Sequence, residues 1–470
     1  MRAMGITPLT RPLRSVRSGS LTPMRAFLQP REKLDLDQGK DGHDRATCYP
    51  VHWEDMHMKR AWDFLAVGLL CSVLSGAPQA AEPNSIKVGI LLPLTGTFAA
   101  VAETQKQGAL LAVDVINKRG GLDMPWGKVT TEGIVDDDEA KLDVGVRRYR
   151  YMVSEGVKGV GGQTWAPLAY AINSIVTREP MPYFPVCVMA KEGFQKGKLA
   201  ESTFATAYSP WTVGYMSGQS AVKVLGKKRI FFLARADSFG WDIRDGVYAA
   251  AKEYGAEIVG YEEVSLGTSD FTTILQKVRA ATPDVFIFAQ FGADAVALLK
   301  QVHQMGLGKD MTIFNAFITN VVAKGVPPEA LDGVYAMHYF YYDLSSFEDK
   351  DTARSAQEFT ELFRAKYRTP PDAYAAIAYI AYMEMFRGFE AAKSFDPRKV
   401  SAALMTGTGD FNTVKGPARW RQDHEAVYKY AAFLVKGKGP AEQKGEWDLF
   451  TVMGSLGGES MMPTLKSLGY

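Results

Sequence analysis

The stretch 86–121 constrains this chain most, because an apolar run, a Pro/Gly break and a helical period follow one another in it without a gap. Residues 86–92 are short and almost continuously apolar, which suits a parallel strand covered on both faces. Pro93 and Gly96 interrupt the run. From about Glu103, Gly108, Leu111, Ala112, Val115 and Ile116 recur at helical spacing. Lys118 and Arg119 suit the C-terminal end of a helix dipole, and Gly120-Gly121 supplies a left-handed stop. This is the first half of a βαβ unit, and a chain that begins so is directed toward a parallel sheet with helices packed on it.

The pattern repeats. A strand is expected over 129–135, ending at Asp136-Asp137-Asp138, with a helix over 139–155. Another strand at 157–160 closes on Gly161-Gly162-Gln163-Thr164-Trp165, a helix continues to about Arg178, and 183–188 is the next strand. After Phe204-Ala205-Thr206-Ala207-Tyr208 the series restarts, with a helix near 213–225 and strands at 229–234, 258–264 and 285–289. Ile243, Val247, Ala250, Ala251 and Tyr254 form one helix face between them; Ala295, Leu298, Leu299 and Val302 form another. Two long helices, about 353–367 and 373–392, come late. Two series of βα units imply two doubly wound α/β lobes, in which ligands bind beyond the carboxyl ends of the strands. The loops at 93–102, 161–165, 186–190, 235–241, 290–293 and 315–319 are therefore the candidate binding walls.

Length and composition allow this: 470 residues with 47% hydrophobic side chains are ample for two cores. Basic and acidic residues are interspersed beyond the first sixty positions and the net charge is +2, which argues against a nucleic-acid partner. Cys48, Cys71 and Cys187 are too scattered for a disulfide framework or a cysteine-rich zinc site. Residues 1–57 lack a sustained apolar period and are expected to be a disordered extension. Residues 58–81 then show a Met58-Lys59-Arg60 start, an apolar stretch of about a dozen residues and a small-residue exit, the pattern of a secretory signal peptide too short to span a membrane. Its internal position implies that translation begins at Met56 or Met58 and that the upstream segment is a gene-start artefact. A lipoprotein through Cys71 fits less well, because the two residues directly before it, Leu69 and Leu70, are not small; a core helix over 61–74 is the other alternative. Cleavage near residues 80–82 would leave Cys187 as the lone thiol.

Enzyme motifs are missing: there is no Gly-x-Ser-x-Gly elbow, P-loop, Gly-x-Gly-x-x-Gly after a strand, or His-Glu-x-x-His. Beyond the signal only His303, His338 and His424 occur, at positions that outline no triad or metal cluster. Asp136-Asp137-Asp138 could hold a cation, though such a run more often ends a strand or caps a helix. No metal, cofactor or catalytic residue is expected. The candidate loops instead carry aromatic and small polar residues: Phe98, Thr164, Trp165, Cys187, Phe239, Trp241, Gln290, Phe291 and Phe317. Aromatic walls with a few polar groups are the make-up of small-molecule pockets, although for a single Phe ordinary packing is the simpler explanation.

These residues together resemble the periplasmic solute-binding proteins of branched-chain amino-acid-type ABC transporters, with the type I periplasmic binding-protein fold. The matching segments are 86–121, Asp136 to Asp138, Gly161-Gly162-Gln163-Thr164, 204–209, Asp237-Ser238-Phe239-Gly240, Ser269-Asp270-Phe271 and Phe291-Gly292-Ala293-Asp294. The resemblance implies two lobes joined by three crossovers, near Tyr208, near 334–338 and around 419–431. One lobe is expected over 85–207 and 337–425, the other over 208–336 and 426–470. It also implies export to the periplasm, a monomer, hinge closure on a small ligand, and delivery to the permease and ATPase subunits of an ABC transporter. Closure requires that both lobes touch the ligand.

In relatives that bind α-amino acids, the first lobe holds the carboxylate through a Ser/Thr loop, matched here by Thr164 and the loop with Cys187 and Val188. The second lobe supplies an acid for the ammonium, but that acid falls in Phe314-Asn315-Ala316-Phe317-Ile318, which has none. A Tyr common after the first strand aligns with Val101, another is replaced by Phe239, and a Ser-rich loop is replaced by Pro185-Val186-Cys187-Val188-Met189. An ammonium buried without a partner costs several kcal/mol. The expected ligand is therefore a weakly polar one, an aromatic or short-chain carboxylate with its acid near Thr164 and its body against Trp165, Phe291 and Phe317. A branched-chain amino acid, or an amide or urea, is the alternative ligand. A sensory domain on the same fold and, least favoured, an exported enzyme are the alternative classes.

Overall fold

The computed structural model describes residues 82–186, 189–406 and 410–470. The expected extension over 1–57, the expected export signal over 58–81 and the expected site residues Cys187 and Val188 lie outside them. The opening stretch forms β1 (Ser85–Leu92), a turn of 3-10 helix at Gly96–Phe98, and α1 (Ala99–Lys118). The helix begins at Ala99 rather than near Glu103, because Ala99, Ala100 and Ala102 are strong helix formers. Val101 therefore sits in its first turn and not in the expected loop.

The first sheet is completed by β2 (Leu122–Met124), β3 (Gly127–Asp137), β4 (Val160–Gly162) and β5 (Tyr183–Pro185), in the order β2-β3-β1-β4-β5. β1 lies between β3 and β4 and runs parallel to both; β2 folds back on β3 as a hairpin. Gly161 and Gly162, expected to close the loop, extend β4 instead. Gly162 has φ +122, and a Cβ there would meet the Leu91 carbonyl oxygen at 2.0 Å, so a glycine lets the two strands pair this closely. α2 (Leu142–Ser154) starts later than Glu139, since Glu139 and Ala140 take positive φ of 53 and 52. α3 (Ala166–Val176) follows β4.

After α4 (Pro210–Gln219), the second series alternates β6 (Arg229–Arg235), α5 (Ser238–Tyr254), β7 (Glu257–Val264), α6 (Thr272–Ala281), β8 (Val285–Phe288), α7 (Ala293–Gln304) and β9 (Thr312–Asn315). Short helices α8 (Asn320–Lys324) and α9 (Pro328–Leu331) lead to β10 (Tyr335–His338). These strands are mutually parallel. The chain then leaves this sheet: α10 (Lys350–Tyr367) and α11 (Ala373–Ala392) pack on α1 of the first one. The approach is so close that a Cβ at Gly108 would lie 2.1 Å from the Ala375 carbonyl oxygen.

After α12 (Pro397–Met405), β11 (Asp410–Thr413), β12 (Gly416–Trp420) and β13 (Ala426–Tyr428) form a small antiparallel sheet that the sequence pattern did not announce. β14 (Ala432–Gly437) and β15 (Phe450–Leu456) return to the second sheet antiparallel to β10, giving the order β15-β14-β10-β9-β8-β6-β7. The chain thus passes between the sheets after β5, after β10 and before β14. Among the described residues, no helix is long and apolar enough to cross a membrane.

Candidate ligand-binding cleft

The carboxyl ends of both parallel sheets carry the candidate residues. On the first sheet, Thr164 follows β4 and is buried, and its Oγ1 donates to Gln105 Oε1 at 2.6 Å. Gln105 Nε2 in turn donates to the Val186 carbonyl at 3.2 Å. α1 thereby holds the two adjoining loops in register. Gln105, fully buried, was missed in the sequence reading; its signal was a polar residue on the apolar face between Ala102 and Gly108. Trp165 is the N-cap of α3 and offers no capping side-chain bond, so the first N–H groups of that helix have no side-chain acceptor from the cap. Phe98 and Val101 are buried in the same apolar cluster as Phe239, Phe291 and Phe317.

On the second sheet, Phe239 opens α5 with the Arg235 guanidinium 4.4 Å from its ring centroid. Arg235 Nε donates to Asp237 Oδ2 at 2.6 Å, and Asp237 caps the helix through the Gly240 N–H. Trp241, one turn on, is exposed. Gln290 is anchored by Nε2 donating to the Ala234 carbonyl at 2.9 Å. The rings of Phe291 and Phe317 lie 5.6 Å apart, and Tyr374 meets them at 5.8 and 5.9 Å. Tyr208, from the first passage between sheets, stands edge-on to Phe317 at 6.3 Å. Tyr374 belongs to α11, which packs with the first sheet's helices, so this aromatic cluster draws on both halves. Neither Tyr208 nor Tyr374 was among the expected site residues. Tyr374 lies two residues past the Asp372 cap, a helix start that could have been read as facing the strand ends.

Two carboxylates fasten the halves together. Asp242 of α5 accepts the main-chain N–H of Lys191, from the segment after β5, at 2.5 Å. Burial pushes its carboxyl up to about 7. Asp372 caps α11 and also accepts the Val321 N–H of α8 at 3.0 Å; burial raises it to about 6. Asn320 Nδ2 adds a bond to the Pro371 carbonyl at 3.3 Å.

Where the chain passes between sheets, the buried Nζ of Lys415 donates to the Tyr339 carbonyl at 3.2 Å and to the Ala431 carbonyl. It lies 3.3 Å from the Tyr339 ring centroid and 4.2 Å from that of Tyr428. Burial drives its pKa well below the usual lysine value. The Tyr339 and Tyr428 hydroxyls both donate to the Thr206 carbonyl, at 2.8 and 2.6 Å. Nearby, buried Arg421 pairs with Asp423 at 2.5 Å and Glu425 at 3.0 Å, and Glu425 accepts the Ser209 N–H at 2.7 Å.

The remaining candidates are accounted for by packing. Asp137 takes the N–H groups of Leu94 and Glu139, and Asp138 that of Ala140, so the acidic run closes a turn. The three histidines are apart: His303 is exposed, and His424 stacks on Phe204 at 4.5 Å. His338 is fully buried beside Tyr341 and Phe450, with its pKa lowered to about 3 by burial.

Two α/β sheets joined by three passages, with the candidate residues at their strand ends, have the architecture of a two-lobed solute-binding protein. A family model described as "Periplasmic binding protein" matches residues 85–440, and the chain belongs to that family, as a type I binding protein of the branched-chain amino-acid transporter type. The leucine-, isoleucine-, valine-, threonine- and alanine-binding protein of Pseudomonas aeruginosa is 25% identical over 337 residues, which cover 71% of this chain and 85% of that relative. A solute-binding protein of R. palustris, solved in complex with benzoate, superposes with a TM-score of 0.66 at 20% identity, covering 80% of this chain and 97% of that one. The branched-chain amino acid transporter substrate-binding protein of Streptococcus pneumoniae, solved with isoleucine, gives 0.68 at 21% identity, covering 79% and 99%.

Proposed function

We propose that this periplasmic solute-binding protein captures a weakly polar carboxylate with an aromatic body and hands it to the permease and ATPase of an ABC importer. The observation that carries the reading is the cluster of Phe291, Phe317, Tyr374 and Tyr208, assembled from both halves. It has no acid for an ammonium in 314–318, and the buried carboxylates Asp242, Asp294 and Asp372 already accept main-chain N–H groups. An α-amino group there would be desolvated without a counter-charge, which costs several kcal/mol. The ligand carboxylate belongs at the start of α3 beside Thr164, where the helix N–H groups and dipole favour an anion. Its ring lies against Trp165, Phe291 and Phe317, with Phe98, Val101, Phe239, Gln290 and the loop of Cys187 and Val188 as the surrounding walls. We place the lobes at 85–207 with 339–428 and at 208–338 with 429–470, moving the expected boundaries past β10, which pairs wholly in the second sheet, and past β13, which pairs with β12.

The benzoate-bound relative makes this ligand class reasonable, while the Pseudomonas and Streptococcus relatives represent the competing one. Titration calorimetry with benzoate, isoleucine and leucine tests the reading. Micromolar or tighter binding of benzoate with none of the amino acids is expected; binding of leucine or isoleucine without benzoate overturns it. Export depends on the signal over 58–81, and N-terminal sequencing of the exported protein should read from residues 80–82.

A further inference from the structure

Three buried polar atoms flank the aromatic cluster and have no hydrogen-bond partner among the described residues: Tyr208 Oη, Gln290 Oε1 and Asn315 Nδ2. Each side chain is almost wholly buried, with Tyr208 2% exposed, Gln290 1% and Asn315 0%. Native proteins pair nearly all such atoms, because an unpaired one costs about 1–3 kcal/mol. The other ends of two of these side chains are tied down. Gln290 Nε2 is held by the Ala234 carbonyl, and Asn315 Oδ1 accepts the Phe317 N–H at 3.1 Å. Rotating either amide to satisfy the free end would therefore break an existing bond.

Their placement is coherent. Gln290, two residues past the end of β8, precedes Phe291; Asn315 ends β9, is paired in register with Phe288, and precedes Phe317 by two residues. The Tyr208 ring meets Phe317 edge-on. Between them they present an acceptor, a donor and a phenol that can be either. One small group answers all three: a hydroxyl, which donates once and accepts twice. A carboxylate would oppose the Gln290 oxygen, an ammonium would oppose the Asn315 amide hydrogens, and a bare ring edge would leave all three unpaired.

We infer that Tyr208, Gln290 and Asn315 form a hydroxyl-reading subsite, so that the ligand class is hydroxylated aromatic acids. This rests on the aromatic-carboxylate reading above. Sites built to hydrogen-bond a substrate hydroxyl reject the analogue lacking it more strongly than apolar pockets reject an extra methylene.

The test is calorimetric titration of the mature chain with benzoate, 3-hydroxybenzoate and 4-hydroxybenzoate. At least one hydroxybenzoate should bind about 10-fold or more tightly than benzoate. Tyr208→Phe and Gln290→Met should each lower that ratio by about 3- to 10-fold. Equal affinity for benzoate and both hydroxybenzoates in the unaltered protein, or ratios unmoved in both variants, overturns the subsite and leaves the aromatic-acid reading standing. Binding of leucine with none of the three acids overturns both. The comparison within the unaltered protein decides the matter even if a variant fails to fold.

Discussion

Asp242→Asn should tighten ligand binding at alkaline pH and flatten its pH dependence. In the structure the Asp242 carboxylate is 4% exposed and accepts the N–H of Lys191, from the half built on the first sheet, at 2.5 Å. Burial, together with the like charges of Glu192 and Asp245, holds its carboxyl at about 7 against an ordinary 3.8. In the hinge opening that the proposed function entails, the group would return to water and to its ordinary value. The closed form therefore binds the proton more tightly than the open form. Its contribution to closure is complete at low pH and is lost as the pH rises through about 7. With those two values, proton linkage makes ligand binding about 30-fold weaker at pH 8 than at pH 5.5, ~2 kcal/mol. An asparagine carbonyl still accepts the Lys191 N–H and does not titrate, so the variant should change by less than about 3-fold over the same range. Titration calorimetry with the tightest-binding acid, ionised throughout that range, measures both. Parallel pH profiles in the two proteins would refute the assignment of this carboxylate to closure.

Three further substitutions address the framework. Gly108→Val should cost about 3 kcal/mol in urea unfolding, because its Cβ would meet the Ala375 carbonyl where α1 and α11 touch; a loss below about 1 kcal/mol would mean that the helices separate easily. Arg421→Met should destabilise by about 3–5 kcal/mol, since it leaves Asp423 and Glu425 buried without their cation. The double variant with Glu425→Gln should recover part of that loss in the same denaturation measurement. Val101→Tyr should shift the ratio of aromatic-acid to amino-acid affinities measured by calorimetry, at a stability cost of about 1–3 kcal/mol because Val101 is only 4% exposed. An unchanged ratio would make this part of α1 packing alone.

Much of the fold was legible because strands and helices are local. The apolar runs of β1, β6 and β8 and the 3.6-residue periods of α1, α5 and α7 depend on neighbours a few residues away, and they appear where those patterns place them. One misplacement was a local contest and the other was decided by a distant strand. The alanines before Glu103 drew α1 forward, and Gly161-Gly162, with no side chains to signal a strand, joined β4 through contacts supplied by β1. The small sheet over β11, β12 and β13 has elements too short to carry a period.

The sequence by itself determined the two βα series, the strand-end loops and the loss of the acid in 314–318. Only the tertiary structure decided which side chains meet: Thr164 with Gln105, Lys191 with Asp242, Val321 with Asp372, and Lys415 with tyrosines from different passages between the sheets. Those partners lie tens or hundreds of positions apart, so no periodicity records them. They exist because folding brings strand ends and passages into one buried region, where most polar groups are paired by partners that the chain places there.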